Sequence, residues 1–580
     1  MSTIPALQPR FTWRGAARRL AALTLPRRAD YAELPRSWRH DLVAGVTVGI
    51  VALPLALGFG VASGVGATAG LITAIVAGFV AAVFGGSHLQ VSGPTGAMTV
   101  VLVPVVARYG VDAVFALSIL AGFLVVLMGL MGMGKLVSVI PWPVVEGFTL
   151  GIGVIILLQQ VPLALDTPKA DGENTALVAW ATARATDWSQ AAVPLAMTVG
   201  VIVLMLVLGR VRRSLPASLI AVGVAAAVAE LARLNVDRIG ALPASLPTPS
   251  MPAWDSSALA EMLPAAMAIA ALAALESLLS ARVADGMVEG VPDTDTDADR
   301  ELVGQGLANV ASGMFGGMPA TGAIARTAVN VRAGARTRLA SASHALVLVV
   351  VVLVATPVVA LIPMSALAGV LIVTAVRMID LRTARSILRA TRADGAVYLI
   401  TVAVTIVFDL VVAVQVGVAV AALLALRAMS RVSGLERVAV SDDLDAAEED
   451  ALLDEHIAVY RFHGALYFGG TKQFLDEIAA VKDVHVIVLV LTEVRVMDTS
   501  GANALTEIIT DLQRRGVTVL LKGLDAGQFK MAGAVGVLRR LGTADHYFTD
   551  LRAAVAHARN HVRYELADIW SLQCDMRVAR

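Results

Sequence analysis

From about Val43 to Leu426 the chain is a succession of apolar runs, each near the ~20 residues that a helix needs to cross a bilayer, separated by short breaks. Beyond about Ser430 the pattern changes to mixed charge and ordinary alternation. This predicts a polytopic α-helical membrane domain followed by a soluble domain of ordinary size. The boundaries read as an N-terminal segment (1–37), a membrane domain (38–430), a linker (431–450), a soluble domain (451–562) and a tail (563–580). The membrane domain holds about fourteen apolar segments, two of them too short to span alone.

The two short segments are "VFGGSHLQVSGPTGAMTVVLVPVV", Val83 to Val106, and "MFGGMPATGAIARTAVNVRAG", Met314 to Gly334. Each has Phe-Gly-Gly, a proline, Thr-Gly-Ala and a brief apolar stretch, which makes them a weak internal repeat. Paired Gly/Pro-interrupted segments in two halves of a membrane protein point to a transport site; the plain alternative is two re-entrant turns with no ligand. In the soluble part, "IAVYRFHGALYFGGTKQFLDEIAA" reads as strand, turn and helix. "HVIVLVLTEVRVMDTSGANALTEIITDLQRRG" reads as an apolar strand, a polar loop and an amphipathic helix ending at Gly516, and "VTVLLKG" as a further strand. Strands alternating with helices predict a small α/β domain.

Composition agrees: 57% of the 580 residues are hydrophobic and only 16% charged, too few charges for a soluble globule of this length. The formal net charge of zero gives no sign of nucleic-acid binding, and the single Cys574 excludes an internal disulfide framework. No short apolar stretch with a cleavage site opens the chain, so no removable signal peptide is expected. Arginines cluster before the first span (Arg10 to Arg39), at Arg210, Arg212 and Arg213, at Arg377 to Arg392, and at Arg427 and Arg431. The loop "DTPKADGENT" is acidic. The positive-inside rule therefore puts both termini in the cytoplasm and requires an even number of crossings.

Charge inside the apolar region supplies the candidate chemistry. Arg326 would cost ~2.5–3.5 kcal/mol at the centre of a membrane helix, so it needs a purpose. If Thr95-Gly96-Ala97 and Thr321-Gly322-Ala323 each open a half-helix, their free N–H groups, each end carrying about +0.5 of a charge, point at a shared cavity. Such ends bind anions, and Arg326 adds a full positive charge nearby. Arg326 equally suits a structural ion pair, for which Glu276 in "AIAALAALESLLSARVADGM" is the candidate. Glu276 could instead hold a proton or sodium ion that travels with the anion. Asp285 and Glu146 read as interfacial, Asp409 as a turn residue, and His40, His88 and His344 as core or interface histidines. No nucleophile–base pair, metal cluster or P-loop occurs, so neither an enzyme nor a nucleotide-driven pump is expected, and no cofactor is implied.

These motifs resemble the SulP-type anion transporters, the sulfate-permease family that includes mammalian anion exchangers and prestin. The resemblance covers nearly all of residues 38–560 and rests on "VAGVTVGIVALPLALGFGVASGV", "VSGPTGAMTVV", "LESLLSARVADGM" and "GGMPATGAIARTAVNVRAGARTRLA". It implies two inverted repeats of seven spans, about 38–235 and 255–430, divided into a core (spans 1–4 and 8–11) and a gate (5–7 and 12–14). It implies a multi-pass protein of the inner (plasma) membrane, compatible with a homodimer. A small anion such as sulfate, bicarbonate or a dicarboxylate would sit between half-helices 3 and 10. Its surroundings would be Phe59, Thr95, Gly96, Ala97, Thr321, Gly322, Ala323, Ala325 and Arg326, with Glu276 taking the coupling ion, a proton in preference to sodium. Two departures stand out: Pro54-Leu55-Ala56 replaces a common Pro-Gln-Gly, and Ala325 stands where many relatives have serine. Backbone N–H groups and Arg326 are thus left with more of the recognition. Alternatives are a nucleobase transporter of the same fold, and a sensor whose membrane part anchors a signalling domain.

The loop "MDTSGANAL" resembles the helix-starting loop of STAS domains, relatives of anti-sigma-factor antagonists. In some relatives a serine of that loop is phosphorylated, and Ser500 is the match. The plainer reading is that Thr499 and Ser500 cap the helix.

Overall fold

The computed structural model describes residues 23–578 apart from 136–140, 173, 212–214, 244, 253–255, 288–295, 409–411, 413–414, 425–433, 439–452, 467–483 and 542–543. Asp409, Arg212, Arg213, Arg427, Arg431, most of the expected linker and the helix expected at "TKQFLDEIAA" therefore lie outside the described residues. The chain divides into two compact units, Met1–Ala419 and Val420–Arg580.

The first unit is helical. In chain order its main helices are α1 (Leu34–Ala62), α2 (Ala67–Phe84), α3 (Gly96–Tyr109), α4 (Val111–Leu130), α5 (Trp142–Gln159), α6 (Trp188–Val211) and α7 (Ala217–Leu231). There follow α8 (Ser256–Met287), α9 (Ala298–Met314), α10 (Ile324–Arg332), α11 (Arg338–Val354), α12 (Met364–Met378) and α13 (Arg392–Val407), and α14 (Gln415–Leu424) crosses the division between the units. Short connecting helices lie between some of them. Among the described residues seven helices, α1, α2, α4, α5, α6, α8 and α12, are by themselves or with a short continuation long and apolar enough to cross a bilayer. The short α3 and α10, 14 and 9 residues, rise only about 21 and 14 Å, well under the ~30 Å hydrocarbon thickness.

The helices sort into two groups. α9 packs on α2 and α4, α11 on α1 and α2, and α8 on α4 and α10, so α1–α4 interleave with α8–α11. In the other group α5 packs on α12 and α13, and α6 on α7 and α12. These groups correspond to the core and the gate that the resemblance implies. Small residues permit the closest approaches. Gly122 of α4 faces Gly306 of α9 so tightly that a Cβ on either would lie 2.7 or 2.6 Å from the other's carbonyl oxygen. In lipid, where the hydrophobic effect cannot drive helices together, such contact is the main source of association.

Ahead of the two half-helices, the strands β1 (Ser92–Gly93) and β2 (Thr321–Gly322) pair antiparallel, with Ser92 opposite Gly322 and Gly93 opposite Thr321. Their backbone polar groups could not stay unpaired at membrane depth. The ladder, a helix-breaking stretch from each repeat, pairs part of them, and the Gly322 amide donates to Ser277 instead.

The second unit is a five-stranded sheet in the order β3 (Gly434–Val438), β4 (Ile457–Leu466), β5 (Val486–Met497), β6 (Thr518–Lys522), β7 (Tyr547–Phe548). Only the β3–β4 pair is antiparallel. Alternation decides the faces. Ile487, Leu489 and Leu491 join Leu505, Ile508, Ile509 and Leu512 of α15 (Thr499–Arg514) and Ala532 of α16 (Ala526–Val535). Val486, Val488 and Val490 join Ala554, Val555, Ala558 and Val562 of α17 (Leu551–Val578). The strand runs to Met497, where the loop "MDTSGANAL" begins, and "TEVRVM" pairs with β4 through register shifts. Helix α17 runs unbroken across residues 562 and 563.

Candidate anion site

Both half-helices emerge directly from the ladder. Beyond β1, Pro94 and Thr95 lead into α3, with Thr95 in extended conformation as its N-cap. Beyond β2 the chain runs to Ala323, the N-cap of α10, which begins at Ile324. The second half-helix thus starts two residues later in its Thr-Gly-Ala motif than the first does, because Thr321 and Gly322 are held in the ladder. Neither N-cap side chain accepts a hydrogen bond from its helix. Both half-helices therefore begin with backbone N–H groups that no side-chain cap satisfies.

Glu276 ties the two starts together. Its Oε2 accepts hydrogen bonds from the Thr95 hydroxyl at 2.9 Å and the Thr321 hydroxyl at 2.5 Å, and those hydroxyls lie 3.1 Å apart. The next residue of α8, Ser277, accepts from the Gly322 amide at 3.0 Å. One turn on, Ser280 meets Thr327 of α10 at 2.9 Å. Helix α8 therefore clasps the ladder through a polar stripe.

Arg326 lies in the first turn of α10 and is only 2% exposed. Its Nη2 donates to the carbonyl of Pro94, across the ladder in the other repeat. Its Nη1 has no hydrogen-bond partner. Among the described residues no Arg326–Glu276 contact comes within ion-pair distance; the hydroxyls of Thr95 and Thr321 bond Oε2 of the carboxylate. Gly93 makes room for the guanidinium: a Cβ there would lie 2.6 Å from Nη1.

The other expected residues distribute as follows. Phe59 is buried on α1, and its carbonyl accepts a 3.4 Å bond from Thr99. A Cβ on Gly96 would lie 3.4 Å from the Phe59 ring. Ala97 is fully buried, in one apolar cluster with Ile156 of α5. Ala323 is buried, whereas Ala325 is exposed on α10. Ser500 belongs to the other unit. It is exposed in the first turn of α15, whose cap is Asp498, accepting from the Gly501 amide at 2.7 Å, and neither Thr499 nor Ser500.

Sequence reasoning did not single out the supporting polar residues behind the ladder. Ser92 donates to Gln305 at 2.8 Å, and Gln305 and Asn309 both donate to the Ala320 carbonyl. Glu301 accepts from the Gly86 and Ser87 amides and from the Gln90 side chain. The signal was present in "RELVGQGLANVASG", a membrane-domain helix too polar for lipid on all faces. Nearby, Asp30 takes a bidentate bond from Arg300, at 2.9 and 2.6 Å, and lies 3.7 Å from Arg338, all three buried.

A helical membrane unit of interleaved repeats, with two uncapped half-helices opposed across a buried guanidinium, defines a membrane transporter rather than an enzyme. The chain belongs to the sulfate permease family, whose profile matches residues 38–401, and carries a STAS domain matched over residues 450–554. It is similar to YvdB of Bacillus subtilis (strain 168), a protein whose name proposes sulfate transport, at 32% identity over 523 residues, 88% of this chain and 96% of that one. It is also 33% identical over 512 residues to the bicarbonate transporter BicA of Synechocystis sp. (strain ATCC 27184 / PCC 6803 / Kazusa), covering 85% and 90% of the two chains. Among solved structures, the murine Slc26a9 anion transporter in its inward-facing state superposes with a TM-score of 0.80 over 96% of each chain at 17% identity, which speaks for the fold.

Proposed function

We propose that this chain is a secondary active transporter of a small inorganic oxyanion, of the sulfate or bicarbonate class, bound between the starts of α3 and α10. The observation that carries the reading is the meeting of two uncapped helix starts with a buried guanidinium whose Nη1 has no partner. Both features favour negative charge, and a bound anion would satisfy both together. The names of similar proteins, one for sulfate and one for bicarbonate, agree with that chemistry. Backbone donors suit an oxyanion with several acceptor oxygens and little shape of its own.

In this reading the core, α1–α4 with α8–α11, carries the anion past the gate. Glu276 takes the coupling ion, a proton in preference to sodium, at the point where the hydroxyls of both half-helix starts converge. Both termini lie in the cytoplasm, the membrane is the plasma membrane, and Ser500, exposed near a helix start, is a site for regulatory phosphorylation. The test is uptake of labelled sulfate and bicarbonate into proteoliposomes, with and without pH and sodium gradients. Saturable uptake driven by a pH gradient supports the reading. Uptake of neither anion under any gradient, by a preparation shown to be folded, overturns it.

A further inference from the structure

Three histidines that the anion site does not use converge in the second unit. His546 closes a single 3-10 turn, Ala544–His546, immediately before β7. His557 and His561 lie one turn apart on α17, just after β7. Positions i and i+4 share one face of a helix, the spacing by which helical histidine pairs hold metal. Across that gap the two Nε2 atoms stand 3.2 Å apart. The rings of His546 and His557 are 5.8 Å apart between centroids, those of His546 and His561 5.3 Å, and those of His557 and His561 4.9 Å. One ligand nitrogen from each ring lies within 4.8 Å of the other two.

Tetrahedral zinc with Zn–N bonds of ~2.0–2.1 Å needs ligand nitrogens about 3.3–3.4 Å apart. The His557–His561 separation is already near that value. His546 offers its nitrogen from within 4.8 Å of both and must draw in to that spacing when an ion binds. Its tautomer also suits a ligand, because Nδ1 lies 3.0 Å from the Leu541 carbonyl, which orients the ring as a donor there and leaves Nε2 its lone pair. All three rings are half-buried, partly desolvated yet reachable. Glu565, one turn beyond His561, is engaged by His485 at 2.7 Å and does not fill the space among the three.

We propose that His546, His557 and His561 form a binding site for a borderline divalent transition metal of the zinc class, with a fourth position open to solvent. Imidazole nitrogen is the preferred donor for such ions, whereas calcium and magnesium require oxygen. A metal there ties the turn before β7 to the helix after it. The docking of α17 on the sheet then becomes dependent on free metal concentration.

The test uses the full-length chain in detergent, purified with a tag that contains no histidine, in a Cys574→Ser background that removes the one thiol, and stripped with chelator. Cobalt(II) is the spectroscopic probe and zinc(II) the competitor. The expected result is a single equivalent of cobalt with the ligand-field absorption of a nitrogen-bound, low-coordinate site, displaced by an equivalent of zinc. His557→Gln and His561→Gln should each weaken binding by at least the roughly 10–100-fold that loss of a supporting group costs a metal site. His456→Gln, outside the cluster and facing His485, should leave it unchanged. Hydrogen exchange of the first half of α17 should slow on adding zinc in the parent protein and not in His557→Gln. Melting curves of the metal-free proteins establish that each variant is folded. Absence of stoichiometric cobalt binding at micromolar metal, or binding that survives His546→Gln/His557→Gln undiminished, would overturn the site.

Discussion

Replacing Arg326 tests the anion site most directly. In the structure this guanidinium spends one nitrogen on the Pro94 carbonyl and leaves Nη1 without a partner. If the anion supplies that partner, Arg326→Ala removes one hydrogen bond between charged groups, worth about 1.5–3 kcal/mol. At 1.4 kcal/mol per decade this raises the anion's dissociation constant about 10- to 150-fold. Arg326→Lys keeps the charge but cannot hold Pro94 and reach the anion with a planar fork, so it should fall between the two. The assay is initial uptake rate against anion concentration in proteoliposomes, with melting temperature as the check on folding. Glu276→Gln completes the cycle. Because Glu276 is held by Thr95 and Thr321 and not by Arg326, the double variant should be at least as impaired as the worse single one. Recovery in the double variant would refute this reasoning and show that Arg326 is there to neutralise Glu276. An unchanged half-saturation in a folded Arg326→Ala protein would remove the residue from recognition altogether.

Other predictions follow from neighbouring geometry. Gly93→Ala places a methyl group 2.6 Å from Arg326 Nη1 on a backbone at φ +156°, so it should lower the melting temperature and, by displacing the guanidinium, reduce uptake per folded protein several-fold. Asp30→Ala leaves Arg300 and Arg338 buried without their carboxylate and should cost roughly 3–5 kcal/mol, read as a clear fall in melting temperature in detergent. In the second unit His463 sits between Glu436 of β3 at 2.8 Å and Glu493 of β5 at 2.7 Å. The bond to Glu436 foremost raises its pKa. The support it gives to edge strand β3 is therefore full below the unfolded histidine value of about 6.5 and is lost as pH rises through the higher folded value. Hydrogen exchange in β3, corrected for its intrinsic pH dependence, should show less protection at high pH, and His463→Gln should abolish that trend.

What the sequence disclosed and what it hid divide along a physical line. Hydrophobic period and the repeated Phe-Gly-Gly, proline and Thr-Gly-Ala motif are local signals, and they were enough to find the membrane domain, its two broken segments and Arg326. The start of α10 was misplaced because Thr321 and Gly322 are held in a ladder with Ser92 and Gly93, partners far away in the chain. No window of sequence contains that pairing. The occupant of the Glu276 carboxylate was hidden for the same reason: two threonines in different repeats reach it, although charge alone pointed to Arg326. At the α15 start the error was smaller. Asp498, Thr499 and Ser500 are all good caps, and only the backbone shows that the first of them serves.

The bond from Arg326 to the Pro94 carbonyl has a mechanical consequence. Together with the β1–β2 ladder and the clasp of Glu276, it rivets the two half-helices into one cradle. On the proposed reading, a cargo seated there need not lose one wall of its site for a passage to open. Relief of confinement must come from outside the cradle, where Phe148, Ile152 and Ile156 of α5 share an apolar cluster with Ala97, Met98 and Val100 of α3. That seam holds hydrocarbon against hydrocarbon, which slides without breaking directional bonds. If the cradle holds the anion as proposed, affinity is a property of the cradle and speed a property of the seam, so trimming the seam should alter turnover without touching what the cradle recognises.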